Sequence, residues 1–218
     1  MLPYTPPTNP WLSVVYLGAE ILIVDKQSGL LTVPGRGPEK QDCLISRIQE
    51  SFPSAEVVHR LDMETSGLVI FALSKTVQSN LGRQFQDRKV KKTYHAIVAG
   101  RPDTPRGRIS LPLITDWPNR PRQKVDFEIG KPSETLWECI ESDGINSLFQ
   151  LTPITGRSHQ LRVHLKEIGH PILGDRLYAP DEIFKRRNRL QLHASHIQLS
   201  HPRTDEEIVF NSDIPFSL

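Results

Sequence analysis

Short apolar runs alternate along the chain with turn-forming clusters, and their spacing predicts more strands than helices. Residues 14–17 and 21–24 are apolar and flank Gly18-Ala19-Glu20, the pattern of a β-hairpin. A short strand is expected at 30–33, between Gly29 and Pro34. Asp42 then suits the N-cap of a helix reaching about residue 52, with Leu44, Ile45 and Ile48 on its apolar face. Residues 68–73 are an unbroken apolar run of strand length, as a fully buried strand requires. Ser74 follows as a cap for a helix whose inner stripe is Val77, Leu81 and Phe85.

In the second half, 92–100 reads as a strand with Tyr94, Ala96 and Val98 on one face and His95 and Ile97 on the other. The proline-interrupted segment 101–124 is expected to be loops around a short strand at 109–111, and further strands are expected at 124–129, 135–140 and 148–152. The segment 155–160 opens a helix with Leu161, Leu165 and Ile168 inward and Gly169 at its stop. Residues 174–189 read as loop with a charged run, and the last strands are expected at 190–199 and 208–210. The predicted class is α+β, with a mainly antiparallel mixed sheet flanked by helices. Prolines at 3, 6, 7 and 10 make residues 1–12 a flexible arm, leaving 13–218 as the folded domain.

Composition changes this picture little. With 218 residues, 37% of them apolar and 24% charged, the chain has the make-up of a soluble globular protein. Its two cysteines, Cys43 and Cys139, are no disulfide framework and no zinc motif. The N-terminus has no basic-then-apolar leader and no apolar run nears the length of a membrane span, so a cytoplasmic location without membrane association is expected. Charge is more informative in its distribution than in its total of +2. The window 83–124 holds eleven Lys/Arg against three acids, 11 − 3 = +8, leaving −6 for the rest. Such asymmetry suits one face built for a polyanion, although a merely solvated basic surface reads the same way.

The candidate chemistry centres on Val57-Val58-His59-Arg60-Leu61-Asp62-Met63-Glu64-Thr65-Ser66-Gly67. Polar groups between two apolar segments belong at the edge of a core, where a carboxylate is held fixed and partly shielded. Read on spacing alone, Asp62 suits a turn as well as a catalyst. Arg60 is placed to pair with Asp62 or to reach a phosphate. Tyr94 reads either as a half-buried sheet aromatic or as a ring offered to an unstacked base. Arg157, in a Gly-Arg-Ser turn, stands where a helix start favours negative charge, so an acidic or phosphate partner is expected for it. A buried Asp62–Arg157 pair would lower the Asp62 pKa and keep the carboxylate ionised. The histidines do not make a metal site by spacing. His159 and His164 lie about 140° apart on a helix, and His193 and His196 face opposite sides of a strand. The H-R-L-D stretch also lacks the residues that would make it a kinase catalytic loop.

Taken together, H-R-L-D-M-E-T-S-G (59–67), K-K-T-Y (91–94), I-T-G-R-S-H-Q-L-R-V-H (154–164) and G-H-P-I-L-G-D (169–175) resemble the RluA-type RNA pseudouridine synthases. The opening I-L-I-V-D-K-Q-S-G-L-L-T-V-P-G (21–35) and the late L-Q-L-H-A (190–194) fit as well. Gln27 stands where most members have proline. The resemblance implies the fold of that family with a basic active-site cleft. It also implies a cofactor-free, metal-free isomerase that converts uridine to its C-glycoside in structured RNA. Asp62 would be the nucleophile, Tyr94 would stack on the base and Arg157 would pair with Asp62. Arg60 would hold the place of the extruded nucleotide or its neighbours. Arg83, Lys89, Lys91, Lys92, Arg120, Arg122 and Lys124 would line the RNA path.

Many relatives carry an S4-type RNA-binding domain before the catalytic one. Here the first strand begins near residue 13, so the chain resembles the short single-domain branch. The namesake of that branch acts on both large-subunit ribosomal RNA and a tRNA anticodon stem-loop, and the same dual specificity is expected here, because Asp116-Trp117-Pro118-Asn119-Arg120-Pro121 resembles that branch too. A monomer is expected. The rival readings are a non-catalytic RNA-binding or RNA-chaperone module on the same fold, and a metal-dependent hydrolase.

Overall fold

The computed structural model describes residues 3–218 and divides them into two compact units. The first unit comprises residues up to Lys91 together with Ala194–Asp213; the second comprises Lys92–His193 and Ile214–Leu218.

The first unit opens with strands β1 (Val14–Leu17) and β2 (Ile21–Lys26), the hairpin that the alternation predicts, paired antiparallel. Helix α1 (Leu44–Gln49), the two-residue strand β3 (Glu56–Val57), strand β4 (Ser66–Ala72) and helix α2 (Lys75–Gln86) follow. β2 pairs antiparallel with β4, Ile23 opposite Ile70, and every β4 residue is buried. Ser74 Oγ accepts the Val77 N–H at 3.3 Å and starts α2. The helix lays Val77 and Leu81 on Ile21, Ile23, Leu68 and Ile70, with Phe85 at the margin. Each of those fully buried side chains contributes roughly 1.5–3 kcal/mol.

Two sequence expectations fail here for identifiable reasons. No strand forms at 30–33, because its main chain is spent on other partners: Leu31 O and Thr32 O accept the N–H groups of Leu44 and Ile45, the first turn of α1, at 2.8 and 3.2 Å. Asp42 does not cap α1, because Arg47 takes both carboxylate oxygens at 2.7 and 2.8 Å and leaves Cys43 as N-cap. The N-terminal arm has neither helix nor strand among the described residues. It is tied down nonetheless: Tyr4 Oη donates to Asp42 O at 2.9 Å, and the Arg47 guanidinium lies 4.0 Å from the Trp11 ring centre.

The second unit holds β5 (Lys91–Ala99, from its second residue on), β6 (Arg106–Ser110), β7 (Leu113–Thr115) and β8 (Gln123–Val125). It continues with β9 (Glu134–Ser142), β10 (Asn146–Pro153), helix α3 (Gln160–Glu167) and the single-turn helix α4 (Asp181–Phe184), which the sequence did not announce. Strands run β5-β10-β9-β6, with the register-defined pairs antiparallel, and β7-β8 form a separate hairpin. The strand expected at 124–129 stops at Val125. Asp126 Oδ1 accepts the N–H groups of Glu128 and Ile129 and turns the chain instead. Leu161 and Leu165 of α3 pack on Ala96, Val98, Phe149 and Leu151.

Strand β11 (Leu192–Ser200) carries the chain back into the first unit, where it lies beside β4 and pairs antiparallel with β12 (Glu207–Asn211). The architecture is α+β with mainly antiparallel strands, as predicted. Among the described residues no helix is long and apolar enough to cross a membrane.

Candidate active site

In the first unit, Asp62 lies half-buried in the connection between β3 and β4, and most of its neighbours are fastened. Thr32 Oγ1 donates to Leu61 O at 2.9 Å and accepts Leu61 N–H at 3.2 Å, clasping the residue before Asp62. Asp62 O accepts the Thr65 N–H at 3.1 Å, closing a turn. The Lys26 ammonium, 0% exposed, donates to the carbonyls of Gln27 (2.8 Å), Leu30 (2.7 Å) and Met63 (2.9 Å). Ser28 Oγ donates to Glu64 O at 2.7 Å. His59 Nε2 accepts the Ile70 N–H at 3.0 Å, and its ring stacks on Phe85 with centres 4.6 Å apart. Gly67 has φ +115°, and a Cβ there would run into the Ala194 backbone, so only glycine admits this entry into β4. A carboxylate seated this way spends little reorganisation in reaching a reacting atom, which is what a nucleophile needs.

In the second unit, Tyr94 is half-buried on β5, opposite Leu151 of β10, and packs against the cluster of Ala96, Val98 and Leu161. Lys92 shares its face by strand alternation. Its Nζ would stand 3.8 Å from a Cβ on Gly156, beside the Arg157 turn. Burial pushes the Lys92 ammonium below the usual lysine range. Arg157 is exposed, not buried as the sequence suggested, and its Nε lies 3.4 Å from Pro132 O.

The turn under Arg157 is held by one side chain that the sequence did not single out. Gln160, 3% exposed, accepts Arg157 N–H at 3.0 Å and the Thr155 hydroxyl at 2.7 Å through Oε1. Its Nε2 donates to Glu134 O at 2.8 Å and Thr135 Oγ1 at 3.0 Å. Thr135 Oγ1 in turn lies 2.9 Å from His164 Nδ1, and His164 Nε2 lies 3.0 Å from Leu111 O. The carbonyl requires a proton on Nε2, so Nδ1 is the acceptor. Burial lowers the His164 pKa and the Leu111 bond only partly offsets it, so the ring is neutral at physiological pH. Between Gln160 and His164 on α3, Arg162 forms a buried bidentate pair with Asp175 at 2.8 and 2.7 Å. Asp175 Oδ1 also accepts the N–H groups of Leu177 and Tyr178, fixing the 175–178 loop against α3.

Of the basic residues named from the sequence, Arg60, Arg83, Lys89 and Lys91 are exposed on the first unit, and Arg120, Arg122 and Lys124 on the second. Lys92 alone is withdrawn from the surface. Among the described residues no three His, Cys, Asp or Glu side chains cluster as metal ligands do.

Residues 20–167 match the family described as RNA pseudouridylate synthase. The chain is 50% identical over 214 residues to the dual-specificity RNA pseudouridine synthase RluA of Escherichia coli O6:H1, covering 98% of each. It is 48% identical over 217 residues to the protein of that name from Pasteurella multocida, covering 99% of each. Among solved structures, human RNA pseudouridylate synthase domain containing 1 superposes with a TM-score of 0.81 at 29% identity, over 94% of this chain and 84% of that one. Sequence motifs, fold and relatives agree: the chain belongs to the RNA pseudouridylate synthase family, among its RluA-type members.

Proposed function

We propose that this enzyme isomerises uridine to pseudouridine in structured RNA, using Asp62 as nucleophile with Tyr94 and Arg157 as its partners. The observation that carries the proposal is the seat of Asp62: a half-buried carboxylate in a stretch held by Thr32, Lys26 and Ser28, inside the motif shared with the family. A target base must leave its stack before its glycosidic carbon can be reached. The Asp62 carboxylate then bonds to ribose C1′ or to the uracil ring, and the N1–C1′ bond breaks. The base turns, C5 bonds to C1′, the bond to Asp62 breaks to return the free carboxylate, and the proton lost from C5 is balanced by one gained at N1. Nothing is consumed, because substrate and product are isomers.

Tyr94 offers its ring to the turning base, and the exposed Arg157 meets Asp62 or a phosphate when RNA is bound. Arg60 occupies or braces the place of the extruded nucleotide. The exposed cations Arg83, Lys89, Lys91, Arg120, Arg122 and Lys124 bind the backbone, and Lys92 works deeper, beside the Arg157 turn. The dual specificity for RNA in the relatives' shared name supports extending the proposal to two substrates, which the resemblance to the short branch suggests are large-subunit ribosomal RNA and a tRNA anticodon stem-loop. Residues 13–218 act as one catalytic domain and the enzyme acts as a monomer.

Tritium release from RNA carrying 5-tritiated uridine tests the chemistry. Asp62→Asn is expected to abolish release while leaving RNA affinity within a few-fold. Full activity in that variant would sink the assignment. Mapping pseudouridine in ribosomal RNA and tRNA from a deletion strain tests the dual substrate, and sites lost from one class only would limit it to that class.

A further inference from the structure

The hairpin β7-β8 carries an aromatic side chain that neither the core nor the proposed chemistry uses. Trp117, at its tip, is 64% exposed, and the Arg120 guanidinium carbon lies 4.3 Å from its ring centre. Arg122 and Lys124 follow, both exposed. The tip is closed by its own backbone: Asp116 N–H donates to Arg122 O at 2.9 Å, and Asn119 N–H and Arg122 N–H donate to Asp116 O and Asn119 O, each at 3.0 Å. The indole is therefore presented on a rigid turn.

The hairpin is also fastened to the Arg157 turn. Gln123 N–H donates to the Tyr178 hydroxyl at 2.8 Å, and that hydroxyl lies 2.6 Å from His159 Nδ1, two residues beyond Arg157. What binds at the tip therefore registers against the start of α3 through two hydrogen bonds.

A flat apolar ring, braced by a guanidinium and followed by two more cations, fits one ligand chemistry above others: an unpaired nucleobase with its phosphates. Stacking uses the π-face that every base has, and the cations meet the backbone on either side. We propose that Trp117 is a stacking platform for an unpaired base of the RNA substrate other than the target uridine, with Arg120 bracing its ring and Arg122 meeting the phosphate. This rests on the RNA-isomerase reading above. It adds a second contact point, through which loop bases outside the reacting nucleotide select the substrate.

The test uses the stem-loop RNA from which the wild-type enzyme releases tritium, with loop nucleotides other than the target made abasic one at a time. Trp117→Ala is expected to raise KM about tenfold with kcat unchanged, and Trp117→Phe to restore most of it. At one loop position the abasic RNA should cost the wild type the same factor and cost Trp117→Ala nothing more. Thermal melting of both variants should match the wild type, since the ring is exposed. A Trp117→Ala enzyme within twofold of wild type on the intact RNA overturns the proposal, as do losses that multiply at every loop position. If the wild type releases tritium from no RNA, or Asp62→Asn remains active, the fault lies in the isomerase reading. Affinity measured in the Asp62→Asn background keeps the Trp117 effect separate from chemistry.

Discussion

Gln160 holds the main chain of Arg157: its Oε1 accepts the Arg157 N–H at 3.0 Å while its Nε2 is anchored on the Glu134 carbonyl and the Thr135 hydroxyl. An exposed arginine has many rotamers, so what the fold controls is where its side chain begins. Replacing Gln160 by Leu keeps the bulk and strands four polar groups. The expected cost is about 2–3 kcal/mol of stability. A fall in kcat on the order of a hundredfold should accompany it, because misplacement of about 1 Å is enough to produce one. Gln160→Glu keeps the acceptor for Arg157 N–H but not the donors. It should lose stability to a similar degree yet retain more of kcat. Melting and tritium release measured side by side decide this, and a Leu variant with wild-type kcat would count against any positioning role.

His59 extends the β3-β4 pairing with a side chain. The backbone ladder ends at Val57 opposite Phe71, and the imidazole Nε2 then takes the Ile70 N–H at 3.0 Å. His59→Phe keeps the stack on Phe85 but leaves a buried N–H without its acceptor, at about 1–3 kcal/mol. His59→Gln puts a carbonyl oxygen near the same place and is expected to recover much of that loss. Urea unfolding should rank wild type, Gln and Phe in that order. Equal stability of the Phe and wild-type proteins would show that the bond contributes nothing.

Stability should depend on pH through His164. The side chain is 0% exposed and its pKa is lowered, first by burial. The unfolded chain, with a histidine pKa of about 6.5, therefore binds more protons than the native one as pH falls below that value. The stabilisation is fully present above about 6.5 and is lost as pH falls through the lowered native value, about 1.4 kcal/mol for each unit of depression. His95, also lowered by burial, adds to the same slope. Melting temperature should drop on acidification from neutrality, and His164→Gln should flatten that drop. An unchanged slope in the variant would assign the acid sensitivity elsewhere.

Much of the fold was legible because period-two and period-3.6 patterns report burial directly. The 68–73 run, Ser74 with its Val77–Leu81 stripe, and the hairpin around Gly18 needed no tertiary knowledge. The failures were contests between partners. Asp42 makes a good N-cap until Arg47 claims it, and 30–33 has strand residues whose carbonyls are committed to α1. Strand alternation puts Lys91 and Lys92 on opposite faces, which accounts for the first being exposed and the second half-buried. Gln160 and Lys26 were illegible for another reason. A glutamine on an amphipathic helix and a lysine ending an apolar strand both read as solvent-facing; what makes them interior is the groups folded around them, Glu134 O and Thr135 Oγ1 for Gln160 and the carbonyls of Gln27, Leu30 and Met63 for Lys26.

The Lys26 ammonium gathers the carbonyls of Gln27, Leu30 and Met63, and Met63 O also accepts the Gly29 N–H at 2.9 Å. A buried cation cannot be abandoned by its carbonyl cage without a large desolvation penalty. The segments 26–30 and 61–65 therefore part only when Lys26 itself is carried into water. They open as one cooperative unit, and the amide hydrogens of Gly29 and Leu61 exchange through that shared event rather than through local loop flicker. The precision of the Asp62 seat thus belongs to the end of β2, an element that never approaches the chemistry as a reactant.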